Sequence, residues 1–123
     1  MEDKDLFWLV GILEGEGYFG ILDLPGTTIV SVQMVDLDII QRVHVLFNAT
    51  SKITVRKPRK YSHLETYTTK IQSFKAIELM LLVYPHMGIR RRKQIHAILT
   101  KYKDLISNNR LRKYKEDKYK IVF

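Results

Sequence analysis

The sequence predicts one α+β domain whose elements follow in the order αββαββαα. Three observations lead to this prediction. Apolar residues recur at helical spacing in four segments, two pairs of strand-like segments are joined by turn residues, and glycine or proline stands near the segment ends. Two hairpins separated by a helix favour a single antiparallel sheet with helices packed on one face.

The first half of the domain is predicted to be a helix, a hairpin and a second helix. Asp3 or Asp5 can cap a helix over residues 6–14, which the following glycines break. The hairpin strands are expected at 18–22 and 28–34, on either side of the turn Pro25-Gly26. Asp36 can cap the second helix. The apolar face of that helix contains Ile39, Ile40, Val43, Leu46 and Phe47.

The second half is predicted to be another hairpin followed by two helices. Its strands are expected at 52–57 and 64–71, around a basic, polar turn. Ser73 can cap a short helix that Pro85 ends, and a longer helix follows Gly88. The apolar faces contain Ala76, Ile77, Met80 and Leu81 in the short helix, and Ile95, Ile98, Leu99, Tyr102 and Ile106 in the long one.

The composition excludes several classes of protein. The chain of 123 residues is 46% hydrophobic, which is enough for the core of one domain, and it contains no cysteine. A disulfide scaffold, a thiolate zinc site and a cysteine nucleophile are therefore excluded, and a reducing compartment is expected. The opening MEDKD is acidic, unlike a signal peptide, and no apolar stretch approaches the roughly 20 residues of a membrane span.

The net charge of +8 lies entirely in the last third of the chain. Residues 90–120 hold twelve Lys or Arg against three acids, a balance of +9, whereas residues 1–89 have a balance of −1. A basic tail alone is often a solvated face, but nucleic acid is the commonest partner for such an asymmetry. The four cations at 90–93 open a helix, where the helix dipole disfavours them, and so indicate a nearby polyanion.

One face of the predicted sheet is polar. Period-two alternation places Val30, Val32 and Met34 on one side of the second strand, and Ile53 and Val55 on one side of the third. The opposite side receives Thr27, Ile29, Ser31, Gln33, Lys52, Thr54, Arg56, Thr66, Thr68 and Lys70. This face fits either an ordinary solvated surface or a sheet that reads base edges in the major groove, and composition does not choose between them.

The segment at residues 9–17, LVGILEGEG, carries the candidate chemistry. Gly11 and Gly15 lie on one helix face and allow a second helix backbone to approach closely. The packing gained in this way offsets the loss of helix stability relative to alanine, which is up to about 1 kcal/mol for each glycine. Because the helix is apolar around its circumference, we expect no side of it to lie in water. Glu14 and Glu16 then oppose the helix dipole and lose solvation, and a divalent cation would remove both penalties.

This segment resembles, position by position, the motif that names the LAGLIDADG homing endonucleases. The αββαββα order, the VQM that precedes Asp36, and the stretch PHMGIRRRKQIHAIL are also similar to the single-motif members of that family. The resemblance covers roughly residues 5–106. We therefore expect an endonuclease domain at 1–106 and a basic C-terminal tail at 107–123.

The resemblance implies a homodimer that binds double-stranded DNA and cuts both strands of a pseudo-palindromic site. It assigns the divalent metal, Mg²⁺ or Mn²⁺, to Glu16 with help from the Gly15 carbonyl. It assigns the dimer interface to the motif helix, at Val10, Gly11, Glu14 and Gly15. It also implies an intracellular protein, cytoplasmic or organellar, encoded by a phage, a bacterium, an archaeon or an organelle.

The resemblance also assigns the remaining site residues. Asp36 is expected near the active site, where it orders water, and Arg90 stabilises charge, with Arg92 as the second choice. The DNA-contacting residues implied on the sheet and its turns are Thr27, Ser31, Gln33, Lys52, Thr54, Arg56, Arg59, Thr66, Thr68 and Lys70.

Two other functions compete with the nuclease. The same fold can serve as a non-catalytic DNA-binding regulator or as an intron-RNA maturase, but Glu16, Asp36 and Arg90 together favour cleavage. RNA binding would call for aromatic side chains that stack on bases, for which Tyr61 and Tyr67 are the candidates. A basic structural protein without a site leaves the acidic helix end unexplained.

Overall fold

The computed structural model describes residues 1–22, 27–58 and 64–102. Its elements are α1 (Asp3–Glu16), β1 (Gly17–Ile21), β2 (Thr28–Met34), α2 (Leu37–Phe47), β3 (Thr54–Arg56), β4 (Thr66–Gln72), α3 (Ser73–Val83), a 3-10 turn (Tyr84–His86) and α4 (Ile89–Thr100). The strands form one four-stranded antiparallel sheet in the order β1-β2-β4-β3. The predicted α+β class and the order αββαββαα are confirmed.

The described residues fall into two compact units. The first unit comprises Met1–Tyr18 and Val30–Ile71, and the second comprises Phe19–Ile29 and Gln72–Phe123. The first buries Leu6, Leu9, Leu13, Val30, Val32, Ile40, Val43, Phe47 and Ile71. The second buries Phe19, Ile29, Ala76, Ile77, Leu79, Met80, Leu81, Val83, Met87, Ile95, Ile98 and Leu99. Within the described ranges, none of the helices combines the length and the hydropathy that a membrane span requires.

The first helix is longer than the sequence predicts. Glu2 occupies the N-cap position without a side-chain hydrogen bond, and the helix continues through Gly15 to Glu16. Gly17 ends it, and the Gly17 N–H donates to the Leu13 carbonyl. A Cβ on Gly17 would lie 2.6 Å from that same oxygen, so only glycine allows α1 to pass directly into β1.

The starts of α2, α3 and α4 agree with the predicted capping residues to within one residue. Asp36 stands at the N-cap of α2 as predicted, although its side chain makes no capping hydrogen bond. The N-cap of α3 is Gln72 rather than the predicted Ser73. Ser73 is instead the first helical residue, with a φ of 57°, and its carbonyl accepts a hydrogen bond of 2.9 Å from the Thr28 hydroxyl. The long helix starts after Gly88 as expected, and Ile106 lies outside the described residues.

The third strand corrects one expectation about the sheet faces. All three residues of β3 are exposed, and the Val55 side chain, predicted to face the core, is 52% exposed. The strand is short and stands at the edge of the sheet, so it has a strand neighbour on one side alone. Ile29, which alternation placed on the polar face, is buried within the second unit.

Candidate active site and nucleic-acid interface

The C-terminal end of α1 presents a carboxylate. Glu16 is the last residue of the helix and is exposed, while Glu14 is half-buried. The last turn contains no basic residue, so the helix dipole opposes this charge without local compensation. The expected loss of solvation is wrong for Glu16 in the single chain, because the helix face around it is open.

The donors at this helix end suit a hard divalent cation. The last carbonyls of a helix lack the partners of its interior, which makes the Gly15 carbonyl a candidate second oxygen donor next to Glu16 in the chain. Mg²⁺ and Mn²⁺ prefer such oxygen ligands. Asp36 is also exposed, and among the residues that the structure describes neither Glu16 nor Asp36 forms an ion pair. The described part of one chain contains no group of three His, Asp or Glu side chains that could hold a metal.

One face of α1 is apolar and open. We call Phe7, Gly11 and Gly15 the motif-helix face, because they recur at a spacing of four residues. Phe7 is 56% exposed, and a Cβ added at Gly11 or Gly15 would meet nothing within 4 Å. The expectation that no side of this helix lies in water is therefore wrong for the single chain. Val10 and Glu14, also predicted at the interface, are half-buried.

The neighbouring aromatic residue has a different environment. The guanidinium of Arg42 lies 3.9 Å from the centroid of the Trp8 ring, and Arg42 also forms an ion pair of 3.4 Å with Asp5. These contacts join α1 to α2 within the first unit. Trp8 thus has contacts inside its own chain. Phe7 is 56% exposed on the motif-helix face, and it is not among the interface residues predicted from the sequence. Its spacing from Gly11 and Gly15 is the sequence signal that identifies it.

The sheet brings many of the predicted DNA-contacting residues together. Gln33 donates a hydrogen bond of 3.1 Å from Nε2 to Thr66 Oγ1, so these two side chains share a face. The register pairs Thr66 with Arg56 and Thr68 with Thr54 on that same face. None of these side chains is buried. We call the surface formed by Ser31, Gln33, Thr54, Arg56, Thr66, Thr68 and Lys70 the polar sheet face.

The other predicted contacts are placed differently. Lys52 is exposed just before β3. Thr27 belongs to the second unit and is half-buried, with its carbonyl accepting a hydrogen bond of 2.7 Å from the Leu22 N–H. Arg59 lies outside the described residues, as does the tail at 107–123.

The tyrosine of β4 points away from the polar sheet face. Strand alternation places Tyr67 opposite to Thr66 and Thr68. Its hydroxyl donates a hydrogen bond of 3.1 Å to Glu65. That hydrogen bond, with a smaller contribution from desolvation, raises the pKa of the Tyr67 phenol above its ordinary value. Tyr67 therefore offers no stacking platform on the polar sheet face, and Tyr61, the other predicted candidate, lies outside the described residues.

The four cations at the start of α4 have different environments, since one of them packs inside the unit and others face solvent. Arg91 is only 7% exposed, with its guanidinium 5.6 Å from the Phe19 ring centroid and a hydrogen bond of 3.0 Å to Gln94. The expectation that all four cations at 90–93 face a polyanion is therefore wrong for Arg91. Arg90 and Lys93 are exposed, and Arg92 is half-buried.

Comparison with known proteins identifies the fold. No family model matches the sequence, and no curated protein matches it either. Among solved structures, an archaeal intron-encoded homing endonuclease complexed with DNA matches with a TM-score of 0.61 and 14% identity, over 93% of this chain and 81% of that one. The chain shares the fold of that structure. At this identity the likeness concerns the fold alone, and the roles of individual residues depend on the geometry above.

Most of the predicted site residues lie in the first unit. Glu16, Asp36 and the polar sheet face all belong to it, as does the motif-helix face. Arg90 and Arg92 belong to the second unit. The sequence did not distinguish the buried Arg91 from its neighbours, since four consecutive cations carry no signal of which one packs inward.

Proposed function

We propose that this protein is a metal-dependent, site-specific DNA endonuclease that acts as a homodimer. The observation that carries the proposal is the exposed carboxylate of Glu16, which ends a helix whose glycine-containing face is open. On a homing endonuclease fold, this combination supports a nuclease whose cutting site is completed by a second copy of the chain.

The motif-helix face supports the dimer. Two copies related by a two-fold axis can place the same face of α1 against itself, and the absence of side chains at Gly11 and Gly15 lets the two backbones approach closely. Phe7 is the large apolar group that such an interface would bury. The two Glu16 carboxylates would then lie near the axis, one for each DNA strand.

The polar sheet face supports direct reading of base edges. An antiparallel sheet or ribbon can enter the major groove, where donors and acceptors distinguish the four base pairs. Gln33 has the geometry to contact adenine through two hydrogen bonds, and Arg56 has the geometry to contact guanine in the same way. A two-fold dimer then reads a pseudo-palindromic site.

The exposure of the charged groups supports the catalytic roles that we propose for them. Glu16 and the Gly15 carbonyl would hold Mg²⁺ or Mn²⁺, which when bound activates water and stabilises the developing phosphate charge. Asp36 is exposed at the start of α2, where its carboxylate can order a water molecule. Arg90 is exposed in the first turn of α4, and its guanidinium is suited to neutralise charge on phosphate oxygens.

Cleavage of DNA by the wild-type chain and two variants tests this function. Glu16→Gln removes the carboxylate, and Glu2→Gln is the matched control, because Glu2 is an exposed carboxylate at the opposite end of α1. Supercoiled plasmids that carry a library of pseudo-palindromic sites are incubated with Mg²⁺ or with EDTA. We expect double-strand cutting by the wild type and Glu2→Gln, with Mg²⁺ alone, and none by Glu16→Gln, although all three bind DNA.

Other results would favour one of the two competing functions or contradict the proposed metal ligand. Salt-sensitive DNA binding by all three proteins without any cutting would favour the non-catalytic regulator. Tighter binding to structured RNA than to any duplex DNA would favour the maturase. Cutting that persists in Glu16→Gln would contradict the assignment of the metal ligand.

A further inference from the structure

A cavity of about 290 Å³ lies beside α4 in the second unit. We call it the α4 cavity, and its lining residues are Tyr84, Ile89, Arg92, Lys93, His96 and Ala97. All but Tyr84 belong to α4 and recur three and four residues apart, so one face of the helix forms most of the wall.

The wall of this cavity is rich in donors and holds no acidic side chain. Arg92 and Lys93 are cations, the His96 ring can donate a hydrogen bond, and so can the Tyr84 hydroxyl. Cations that share a helix face repel one another, and no lining residue compensates their charge. An anion bound in the α4 cavity would provide that compensation.

One atom points to such a ligand directly. The Nε of Arg92 is buried, and among the described residues it has no hydrogen-bond partner. Buried donors without an acceptor are rare in folded proteins. The adjacent Arg91 is more deeply buried but satisfied, by Gln94 and by the ring of Phe19. The fold therefore provides partners for the guanidinium of Arg91, whereas the Nε–H of Arg92 can donate to an acceptor from outside the described residues.

We propose that the α4 cavity binds one phosphate group of the DNA backbone, with Arg92 as its central donor. This inference rests on the proposed DNA binding. The volume lies at the small end of ligand pockets, which span roughly 300–1,000 Å³, and suits a phosphate with its sugar better than a large cofactor. The planar fork of arginine can donate two parallel hydrogen bonds to a phosphate through Nε and one Nη, and the Nε of Arg92 has no partner among the described residues.

The first test measures how DNA affinity depends on salt. Each phosphate contact contributes about −0.9 to the slope of log K against log salt concentration. We expect Arg92→Gln to make the slope shallower by about 1 and to weaken binding equally for all duplex sequences. Lys93→Gln, at an exposed position that tolerates substitution, should act in the same direction. Lys75→Gln is the control, because Lys75 is an exposed lysine of the same unit outside the cavity.

A conservative variant separates binding from a general effect of charge. Arg92→Lys retains the positive charge but lacks the Nε donor and the planar fork. We expect it to keep the wild-type salt slope while binding DNA more weakly than the wild type. If Arg92 had only a structural role, Arg92→Lys would lower the thermal stability of the protein and leave both the DNA affinity and the salt slope unchanged.

The second test follows the Arg92 Nε–H resonance of the full ¹⁵N-labelled chain by NMR. A saturable shift on adding a short duplex, together with the shallower slope of Arg92→Gln, would support the inference. A shift with inorganic phosphate alone, and an unchanged slope, would overturn it in favour of a site for free phosphate. No shift with either probe would overturn it as well.

The outcomes also distinguish this inference from the proposed function. If the wild-type chain fails to bind any duplex, both are overturned together. If the wild type binds with a steep salt slope and Arg92→Gln has the same slope, the α4 cavity takes no DNA phosphate, and the proposed nuclease is unaffected.

Discussion

The helices α1 and α4 both carry charge at the end where the helix dipole opposes it. Glu16 is the last residue of α1, and no basic residue stands in its last turn. Cations follow Ile89 in the first turn of α4, which contains no acid. The two helices handle these charges differently, since α1 leaves its carboxylate exposed whereas α4 buries Arg91 and half-buries Arg92.

This difference shows that the sign of a charge and its position along a helix do not by themselves indicate whether the side chain has a structural or a functional role. Arg91 and Arg92 are consecutive residues of the same type, yet one has partners inside the fold and the other has an unsatisfied buried Nε. Glu16 is exposed beside an open apolar face. Burial and the presence of a partner therefore separate a charge that packs inside the fold from one that is left without a partner among the described residues.

The largest expected effect comes from a substitution that blocks the motif-helix face of α1. Gly11→Arg places a charged side chain where the second helix would pack, and because a Cβ there meets nothing, the single chain should still fold. Loss of a central interface contact of about 2 kcal/mol weakens a dimer by about 30-fold. Analytical ultracentrifugation should show dissociation, and double-strand cutting should fall with it.

The control for this variant is Gln41→Arg, which adds the same charge at an exposed position of α2. A wild-type chain that remains monomeric at all concentrations would contradict the dimer. So would a Gly11→Arg variant that dimerises as tightly as the wild type.

A second prediction tests the two arginines of α4 by folding stability. Arg91→Gln loses the contact with Phe19 and a charged hydrogen bond to Gln94, so we expect the free energy of unfolding to fall by about 1.5–3 kcal/mol. Arg92→Gln removes a buried donor without a partner and should leave stability unchanged or slightly raised. Urea denaturation in the absence of DNA measures both, and equal losses would refute the distinction.

A third prediction concerns the glycines at the end of α1. Gly17→Ala forces a Cβ against the Leu13 carbonyl, so we expect a loss of about 1–3 kcal/mol in the free energy of unfolding. Gly15→Ala is the matched variant, since its Cβ meets nothing and helix propensity improves by up to about 1 kcal/mol. Thermal unfolding of the two proteins at low concentration should shift in opposite directions.

The smallest effects on stability should come from removing the charges of Glu16 and Arg90 at the helix ends. Glu16→Gln and Arg90→Gln each remove a charge that the helix dipole opposes, so each should raise the free energy of unfolding by about 0.3–1 kcal/mol at low salt. The gain should disappear at high salt, because exposed charges are then screened. Denaturation at two ionic strengths measures it, and a loss of stability at low salt would show that a partner within the fold had been removed.

Local patterns along the chain were enough to predict most of the elements. The apolar spacing of α2 anticipated the burial of Ile40, Val43 and Phe47, and Gly88 marked the start of α4. The motif at residues 9–17 located the acidic end of α1, and alternation located most of the polar sheet face. These features are readable because helix and strand periods, caps and turns act over a few residues.

Other features depend on contacts between residues that the sequence does not pair. Val55 is exposed because the strand order leaves β3 at an edge. Arg91 rather than Arg92 packs against a ring, because the orientation of α4 in its unit turns that residue inward. Strand order and helix orientation arise from packing over long separations, and no pattern within a single segment encodes them.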